Sequence, residues 1–143
     1  MKKIFLDANI IIDYLDASSK DHAIAVSCFR IIRKHFGKPL ASPVTFIIAN
    51  FLLSKFIKNK QRHKKQMQVV FSGMVITPIE PSFISAIFKT KFEDIEDGLQ
   101  YQCAFHAKAN VIVTKDLNDY FDSKIPVVHP HDFVMRYNSL FKI

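Results

Sequence analysis

The chain alternates short apolar runs with segments of helical periodicity, and this alternation limits the folds open to it. The short runs lack the length of a helix, which is typical of buried strands. The predicted strands are residues 3–6, 40–42, 74–77, 111–114 and 125–128. The predicted helices are residues 10–15, 21–36, 44–57, 81–89, 94–108 and 132–140, with a further basic helix that ends near Phe71. Strands that alternate with helices predict an α/β fold, in which helices cover both faces of one parallel sheet.

Composition indicates a single folded domain over residues 1–143. The chain is 49% hydrophobic, with 14 phenylalanines and 3 glycines, which excludes the disordered and low-complexity classes. No apolar run reaches the roughly 18 residues of a membrane span, and Asp7 interrupts the first one. Neither a membrane helix nor a secretory signal is therefore predicted. Cys28 and Cys103 are expected to be buried thiols, and a cytoplasmic location follows from that interpretation.

Positive charge is concentrated in the middle of the chain. The net charge is +7, and no acidic residue occurs between His22 and Ile79. Six bases fall within residues 55–65: Lys55, Lys58, Lys60, Arg62, Lys64 and Lys65. This basic run is either a solvated helix end or a surface that attracts nucleic acid through a salt-sensitive, sequence-independent pull. The run alone does not distinguish the two.

Acidic residues follow two of the predicted strands. Asp7 ends the first strand, and Asp116 lies two residues beyond the strand at 111–114. The carboxyl ends of parallel strands meet at one edge of a sheet, where the ligand sites of open α/β folds form. Four further acids lie at the start of a predicted helix: Glu93, Asp94, Glu96 and Asp97.

Each acid has a structural explanation, but the set has a chemical one. Asp94 is a good N-cap with Asp97 in the capping-box position, and Asp7 and Asp116 could serve turns. Carboxylates gathered from such distant positions repel one another unless a cation lies among them. Their oxygens suit Mg²⁺ or Mn²⁺, which can activate water and neutralise a phosphate in phosphodiester hydrolysis.

Three stretches of the sequence, FLDANIIIDYL, SPVTFIIANFLLSK and DIEDGLQYQCAFHAKANVIVTKDLNDY, resemble the PIN-domain family of metal-dependent ribonucleases. The resemblance spans essentially the whole chain and depends on the order of these motifs. It implies a PIN-like three-layer α/β/α sandwich with a central parallel sheet of about five strands. It also implies that Asp7, Asp97 and Asp116 are the catalytic carboxylates and the ligands of Mg²⁺ or Mn²⁺. Many members are toxins of bacterial toxin–antitoxin pairs, form dimers and cleave RNA.

One departure from the family pattern concerns the helix predicted at 44–57. The family usually carries a second acid there, commonly Glu, whereas this helix has none. The corresponding position falls near Ile48 or Asn50. The Asn50 amide could coordinate a hard cation without adding charge. The favoured interpretation is a buried amide that bonds to the backbone or to Asp7.

The sequence therefore predicts a Mg²⁺- or Mn²⁺-dependent ribonuclease, with RNA steered to the acids by the basic run. The residues expected to support the three carboxylates are Asn9, Asn50, Asp94, Glu96, Thr114 and Asp119. An antitoxin protein and a second copy of the chain are candidate partners. The alternative is a PIN-like module that binds nucleic acid or protein without cutting. A receiver-like signalling domain is less favoured, because it needs paired acids after the first strand and Asp7 stands alone there.

Overall fold

Five parallel strands form the centre of the computed structural model, which describes residues 1–141. In chain order these are β1 (Ile4–Leu6), β2 (Leu40–Ala41), β3 (Val75–Ile76), β4 (Val111–Val113) and β5 (Val127–Val128). Across the described part of the sheet the strand order is β3-β2-β1-β4-β5, and every pairing is parallel. The predicted strands and the α/β class are confirmed.

Helices connect these strands, at the positions predicted from the apolar spacing. They are α1 (Ala8–Leu15), α2 (His22–His35), α3 (Pro43–Phe56), α4 (Lys60–Ser72), α5 (Pro81–Ile87), α6 (Ile95–His106) and α7 (Pro130–Phe141). A 3₁₀ helix, Leu117–Tyr120, follows β4. Within residues 1–141, none of the helices is long and apolar enough to cross a membrane.

Side-chain caps explain where several helices begin. Ser42 accepts a hydrogen bond from the Thr45 N–H at 3.3 Å and starts α3. Asn59 caps α4 in the same way. At the start of α6, Asp94 Oδ1 accepts from the Asp97 N–H at 2.9 Å. The predicted capping role of Asp94 is therefore present, and it fixes the orientation of the first turn that carries Asp97.

Alternation of side chains along β1 builds a core on each face of the sheet. Ile4 and Leu6 join the core formed with α1, α2, α3, α4 and α7, whereas Phe5 joins the core formed with α5 and α6. These three side chains are at most 1% exposed. Cys28 and Cys103 are both buried and free, as expected. Helices on both faces of one sheet make the three-layer sandwich that the sequence predicted.

The order of the strands reverses at the pair β1 and β4. The chain builds outward from β1 through β2 and β3 on one side, then returns to add β4 and β5 on the other. Leu6 is in register with Val113, so both strands end at the same level. This is the switch point at which open α/β sheets leave a crevice at the carboxyl ends of their strands.

Replacing Phe133 with alanine tests how α7 packs on the core. The Phe133 ring is fully buried, and its centroid lies 6.5 Å from that of Phe36. We expect Phe133→Ala to lower the free energy of unfolding by about 3–5 kcal/mol, because the vacated volume is only partly refilled. Urea unfolding followed by circular dichroism measures the loss. Met135→Ala, at an exposed position of the same helix, is the control and should cost less than about 0.5 kcal/mol. Equal losses in both variants would contradict the packing of α7.

Candidate active site

The Asp7 carboxylate is buried at the carboxyl end of β1, with 3% of the residue exposed. The register of β1 on β4 sets Asp7 beside Thr114, whose Oγ1 donates a hydrogen bond to Asp7 Oδ2 at 2.6 Å. Asp7 is also the N-cap residue of α1, but its side chain makes no capping hydrogen bond. Helix capping therefore does not account for its burial.

Asn9 links the ends of β1 and β4. Its Nδ2 lies 3.2 Å from Asp7 Oδ2, 3.2 Å from Thr114 Oγ1 and 3.1 Å from Asp116 Oδ2. The Asp116 N–H in turn donates to Thr114 Oγ1 at 3.1 Å. One amide thus holds two carboxylates that are 109 positions apart in the chain, from residue 7 to residue 116.

Asp97 joins this group from the first turn of α6 and is 9% exposed. Its pKa is raised to about 8, first by burial and then by neighbouring negative charges. Those charges are the carboxylates of Asp7, Asp94, Asp119 and Asp116. Burial likewise raises the pKa of Asp7 to about 6, against the hydrogen bond from Thr114 and with the charge of Asp116 adding to the shift. The structure therefore brings Asp7, Asp97 and Asp116 into one electrostatic neighbourhood.

The predicted supporting residues divide into those near the acids and those elsewhere. Asp94 and Asp119 both act on the pKa of Asp97, and Asn9 and Thr114 bond directly to Asp7. Glu96 is largely exposed; burial of part of its side chain, and then the charge of Asp94, raise the pKa of its carboxyl.

The basic run is exposed on the end of α3 and the first turns of α4.

Two buried polar side chains beside the acids, Gln100 and Tyr120, were not predicted from the sequence. Gln100, one turn beyond Asp97 on α6, donates from Nε2 to Thr45 Oγ1 at 3.0 Å, and its Oε1 accepts a short hydrogen bond from Ser42. This network joins α6 to α3. Tyr120 lies next to the carboxylates: burial first, and then the charges of Asp7 and Asp97, raise the pKa of its phenol. Among the described residues, its hydroxyl makes no well-formed hydrogen bond.

The family model described as the PIN domain matches residues 3–118 of this chain. The chain belongs to the PIN-domain family. A similar curated protein is "Ribonuclease VapC1" from Aquifex aeolicus (strain VF5), which is 25% identical over 144 residues covering 97% of this chain and 98% of that protein.

Solved structures share the fold of this PIN domain. VapBC2 from Rickettsia felis, bound to a DNA fragment from its promoter, contains a chain that aligns with a TM-score of 0.68 at 13% identity, covering 88% of this chain and 97% of that one. A chain of a toxin–antitoxin complex from Klebsiella pneumoniae aligns with a TM-score of 0.67 at 17% identity, covering 90% of this chain and 98% of that one. At these identities the likeness is one of fold.

The helix that usually carries a second acid in PIN domains has no acid on its buried side here. Thr45 and Ala49 are buried, and Ile48 is half-buried one turn beyond Thr45. Positions three apart share a helix face, so Ile48 lies on the face that Thr45 presents to Gln100. Asn50 is exposed, and its carbonyl lies 3.3 Å from His63 Nε2. The expectation of a buried Asn50 amide is wrong, because α3 is apolar on its exposed side as well.

The donor set of this PIN domain suits a hard divalent cation. Asp7 and Asp97 are buried carboxyls with raised pKa values, and a cation would relieve the burial cost and the repulsion together. No group of three or more His, Cys, Asp or Glu side chains within residues 1–141 converges into a complete metal cluster. Mg²⁺ commonly binds to one or two carboxylates, with waters and phosphate oxygens as its other ligands. The arrangement fits that open kind of site.

The raised pKa values predict an unusual pH dependence of stability in EDTA. The ordinary pKa of a free Asp is 3.8, so between about pH 4 and pH 8 the folded state holds more protons on Asp7 and Asp97 than the unfolded state. Their contribution to stability is therefore greatest at low pH and is lost as pH rises through about 6 and about 8. We expect Asp97→Asn to stabilise the metal-free protein by about 1–2 kcal/mol at pH 8 and by much less at pH 5.

Urea unfolding at the two pH values measures this difference. Asp132→Asn is the matched control, since Asp132 is exposed in the first turn of α7. Equal changes in stability at pH 8 for Asp97→Asn and Asp132→Asn would contradict a raised pKa of Asp97 in the folded protein.

Proposed function

We propose that this PIN domain is a divalent-metal-dependent ribonuclease that hydrolyses RNA phosphodiesters. In this proposal Asp7, Asp97 and Asp116 hold Mg²⁺ or Mn²⁺. The observation that carries it is that Asp7 and Asp116 meet at Asn9, at the carboxyl ends of β1 and β4. Asp97 is near enough that the charges of both add to the effect of burial in raising its pKa. Similarity over 97% of the chain to a protein named as a ribonuclease supports the same reaction class.

The side chains around the acids have distinct parts in this reaction. When bound, the divalent cation supplies charge neutralisation at the scissile phosphate and a lowered pKa for the attacking water. Asn9 and Thr114 keep Asp7 and Asp116 oriented by hydrogen bonds, which reduces the reorganisation needed when substrate arrives. Asp94 and Asp119 add negative potential that attracts the cation.

RNA would reach the acids along the basic run. Its bases are exposed, and the contact of His63 with the Asn50 carbonyl sets the first turn of α4 against the middle of α3. Lys55 Nζ lies 4.4 Å from the centre of the Phe51 ring. Clustered exposed bases attract phosphate without reading sequence, so this part of the affinity should fall as salt rises.

An antitoxin protein and a second copy of the chain are the proposed protein partners. The Klebsiella structure is titled a toxin–antitoxin complex, and its aligned chain shares this fold. In this chain α3, α5 and the residue that follows α5 carry large apolar side chains that are about half exposed or more: Ile47, Phe51, Phe56, Ile84 and Phe88. Exposed apolar side chains of this number are typical of surfaces that associate with protein.

The second candidate function is a PIN-like module that binds RNA or protein without cutting. The observation that favours it is the apolar Ile48 on the α3 face towards Gln100, where the family usually has an acid. One carboxylate fewer lowers the negative potential at the site and with it the affinity for a cation.

Substitution of Asp7 separates the two candidates. We expect Asp7→Asn to reduce cleavage of a fluorescent RNA by about 100-fold or more, equivalent to about 2.7 kcal/mol of transition-state stabilisation, because a ligand charge is lost. The fold should persist, since an amide oxygen can still accept from Thr114. Asp132→Asn is the matched control and should cleave normally. Excess EDTA should stop cleavage by the unaltered protein; undiminished cleavage in EDTA would reject the metal mechanism.

Restoring an acid to α3 tests which position faces the site. We expect Ile48→Glu to tighten Mn²⁺ binding by about tenfold, or about 1.4 kcal/mol, because a fourth carboxylate joins the cluster. Asn50→Asp adds the same charge on the exposed side of α3 and should leave the affinity nearly unchanged. Isothermal titration calorimetry measures both. Tighter binding by Asn50→Asp alone would place the family's second acid at residue 50 instead.

A further inference from the structure

In the sequence, Lys115 lies between Thr114 and Asp116, which belong to the candidate site, but its side chain forms ion pairs with acids outside that site. Its Nζ is 2.6 Å from Asp13 Oδ2 and 3.2 Å from Asp21 Oδ2. The Asp13 side chain is 9% exposed and that of Lys115 is 29% exposed, so the carboxylate end of this ion pair is buried. Neither Asp13 nor Asp21 has a part in the proposed hydrolysis, although a buried carboxylate is costly to keep.

Helix α1 contacts Lys115 at two points along one face. Asn9 and Asp13 are four residues apart, so their side chains lie on the same side of α1. Asn9 Oδ1 accepts from the Lys115 backbone N–H at 3.4 Å, and Asp13 pairs with the Lys115 ammonium. The same Asn9 amide contacts Asp116. Hydrogen bonds and an ion pair thus connect residues 114–116 to α1, the helix that follows Asp7.

The connection between α1 and α2 completes this arrangement. Ser19 Oγ donates to Asp13 Oδ1 at 2.8 Å, and His22 Nδ1 lies 2.9 Å from the Asp13 carbonyl oxygen. Asp21, the residue before α2, supplies the second carboxylate to Lys115. The Asp13 side chain is therefore held from both of its oxygens, which fixes the direction in which it presents its charge.

The same pairing directs the positive charge of Lys115. Within residues 1–141, its ion pairs are with Asp13 and Asp21. Lys115 is the base nearest in sequence to Asp116, and an ammonium turned towards Asp116 would compete with a cation for the carboxylates. The ion pairs with Asp13 and Asp21 keep this ammonium engaged.

We propose that Lys115 is a positioning residue: its ion pairs with Asp13 and Asp21 hold the turn at residues 114–116 so that Asp116 stays among the acids, and they keep the ammonium away from them. The inference rests on the proposed metal site for its effect on cation binding. Its effect on the turn does not depend on a metal.

The first experiment compares Lys115→Met with Lys115→Arg and with the control Lys124→Met, which removes one exposed positive charge elsewhere. Hydrogen exchange of residues 114–119 in EDTA reports on the turn. Calorimetry with Mn²⁺ alone reports on the site. We expect Lys115→Met to exchange faster at 114–119 and to weaken Mn²⁺ binding about tenfold or more, as loss of outer-shell support does. Lys115→Arg should restore both readouts, and Lys124→Met should change neither.

Two double variants extend the test. The first keeps it possible if Lys115→Met does not fold, and the second tests whether the two acids hold the Lys115 ammonium away from the site. Lys115→Met combined with Asp13→Asn leaves no unpaired buried charge, so it should fold even where Lys115→Met does not, and it should show the same fast exchange. Asp13→Asn combined with Asp21→Asn frees the ammonium. That variant should bind Mn²⁺ more weakly than Lys115→Met, because a competing cation is then available to the acids.

Unchanged exchange and unchanged Mn²⁺ affinity in Lys115→Met would overturn the positioning role while leaving the proposed function intact. If the unaltered protein binds no Mn²⁺, the proposed function fails, and hydrogen exchange still decides whether Lys115 holds the turn. Equal Mn²⁺ affinities in the unaltered protein and in the Asp13→Asn, Asp21→Asn variant would overturn the claim that these acids keep the ammonium engaged.

Discussion

The parallel pairing of β1 with β4 is the contact on which the rest of the candidate site depends. Leu6 lies opposite Val113, so both strands release the chain at the same level and Asp7 meets Thr114. The two strands are more than 100 residues apart in the chain, and the interval contains the whole of the other half of the sheet. Their apolar side chains, buried between helical layers, stabilise the pairing. The polar site is therefore held by an apolar framework that none of its own residues supplies.

That framework gathers like charges, which opposes folding. Burial and mutual repulsion raise the pKa of Asp7 and of Asp97 because both disfavour the ionised form. The gathered carboxylates lower the free energy of unfolding that the core provides, and a bound cation would offset part of that loss. On the proposed function, the site is an example of local electrostatic strain retained because it serves chemistry.

The features that could be predicted from sequence are those governed by local rules. Strand and helix positions followed from apolar spacing, and the cap at Asp94 followed from its distance to Asp97. Features that depend on which helices face one another could not be predicted in this way. The apolar run around Asn50 predicted a buried amide. Because α3 also carries large apolar side chains on its exposed side, that run does not identify the inner face of the helix. The partners of Gln100 and Lys115 lie 55 and 94 or more positions away in the chain and required the tertiary arrangement.

The Asn9 amide nitrogen carries two hydrogens, yet three oxygens lie 3.1–3.2 Å from it. Two of these oxygens have a second donor: Asp7 Oδ2 also accepts from Thr114 Oγ1, and Thr114 Oγ1 also accepts from the Asp116 N–H. Asn9 can therefore keep one hydrogen on Asp116 Oδ2 while its second hydrogen is shared between the other two oxygens. An incoming cation or N–H that takes Asp7 Oδ2 as its acceptor leaves that second hydrogen a partner in Thr114 Oγ1. The pocket can thus accept such a group without leaving an Asn9 hydrogen unpaired.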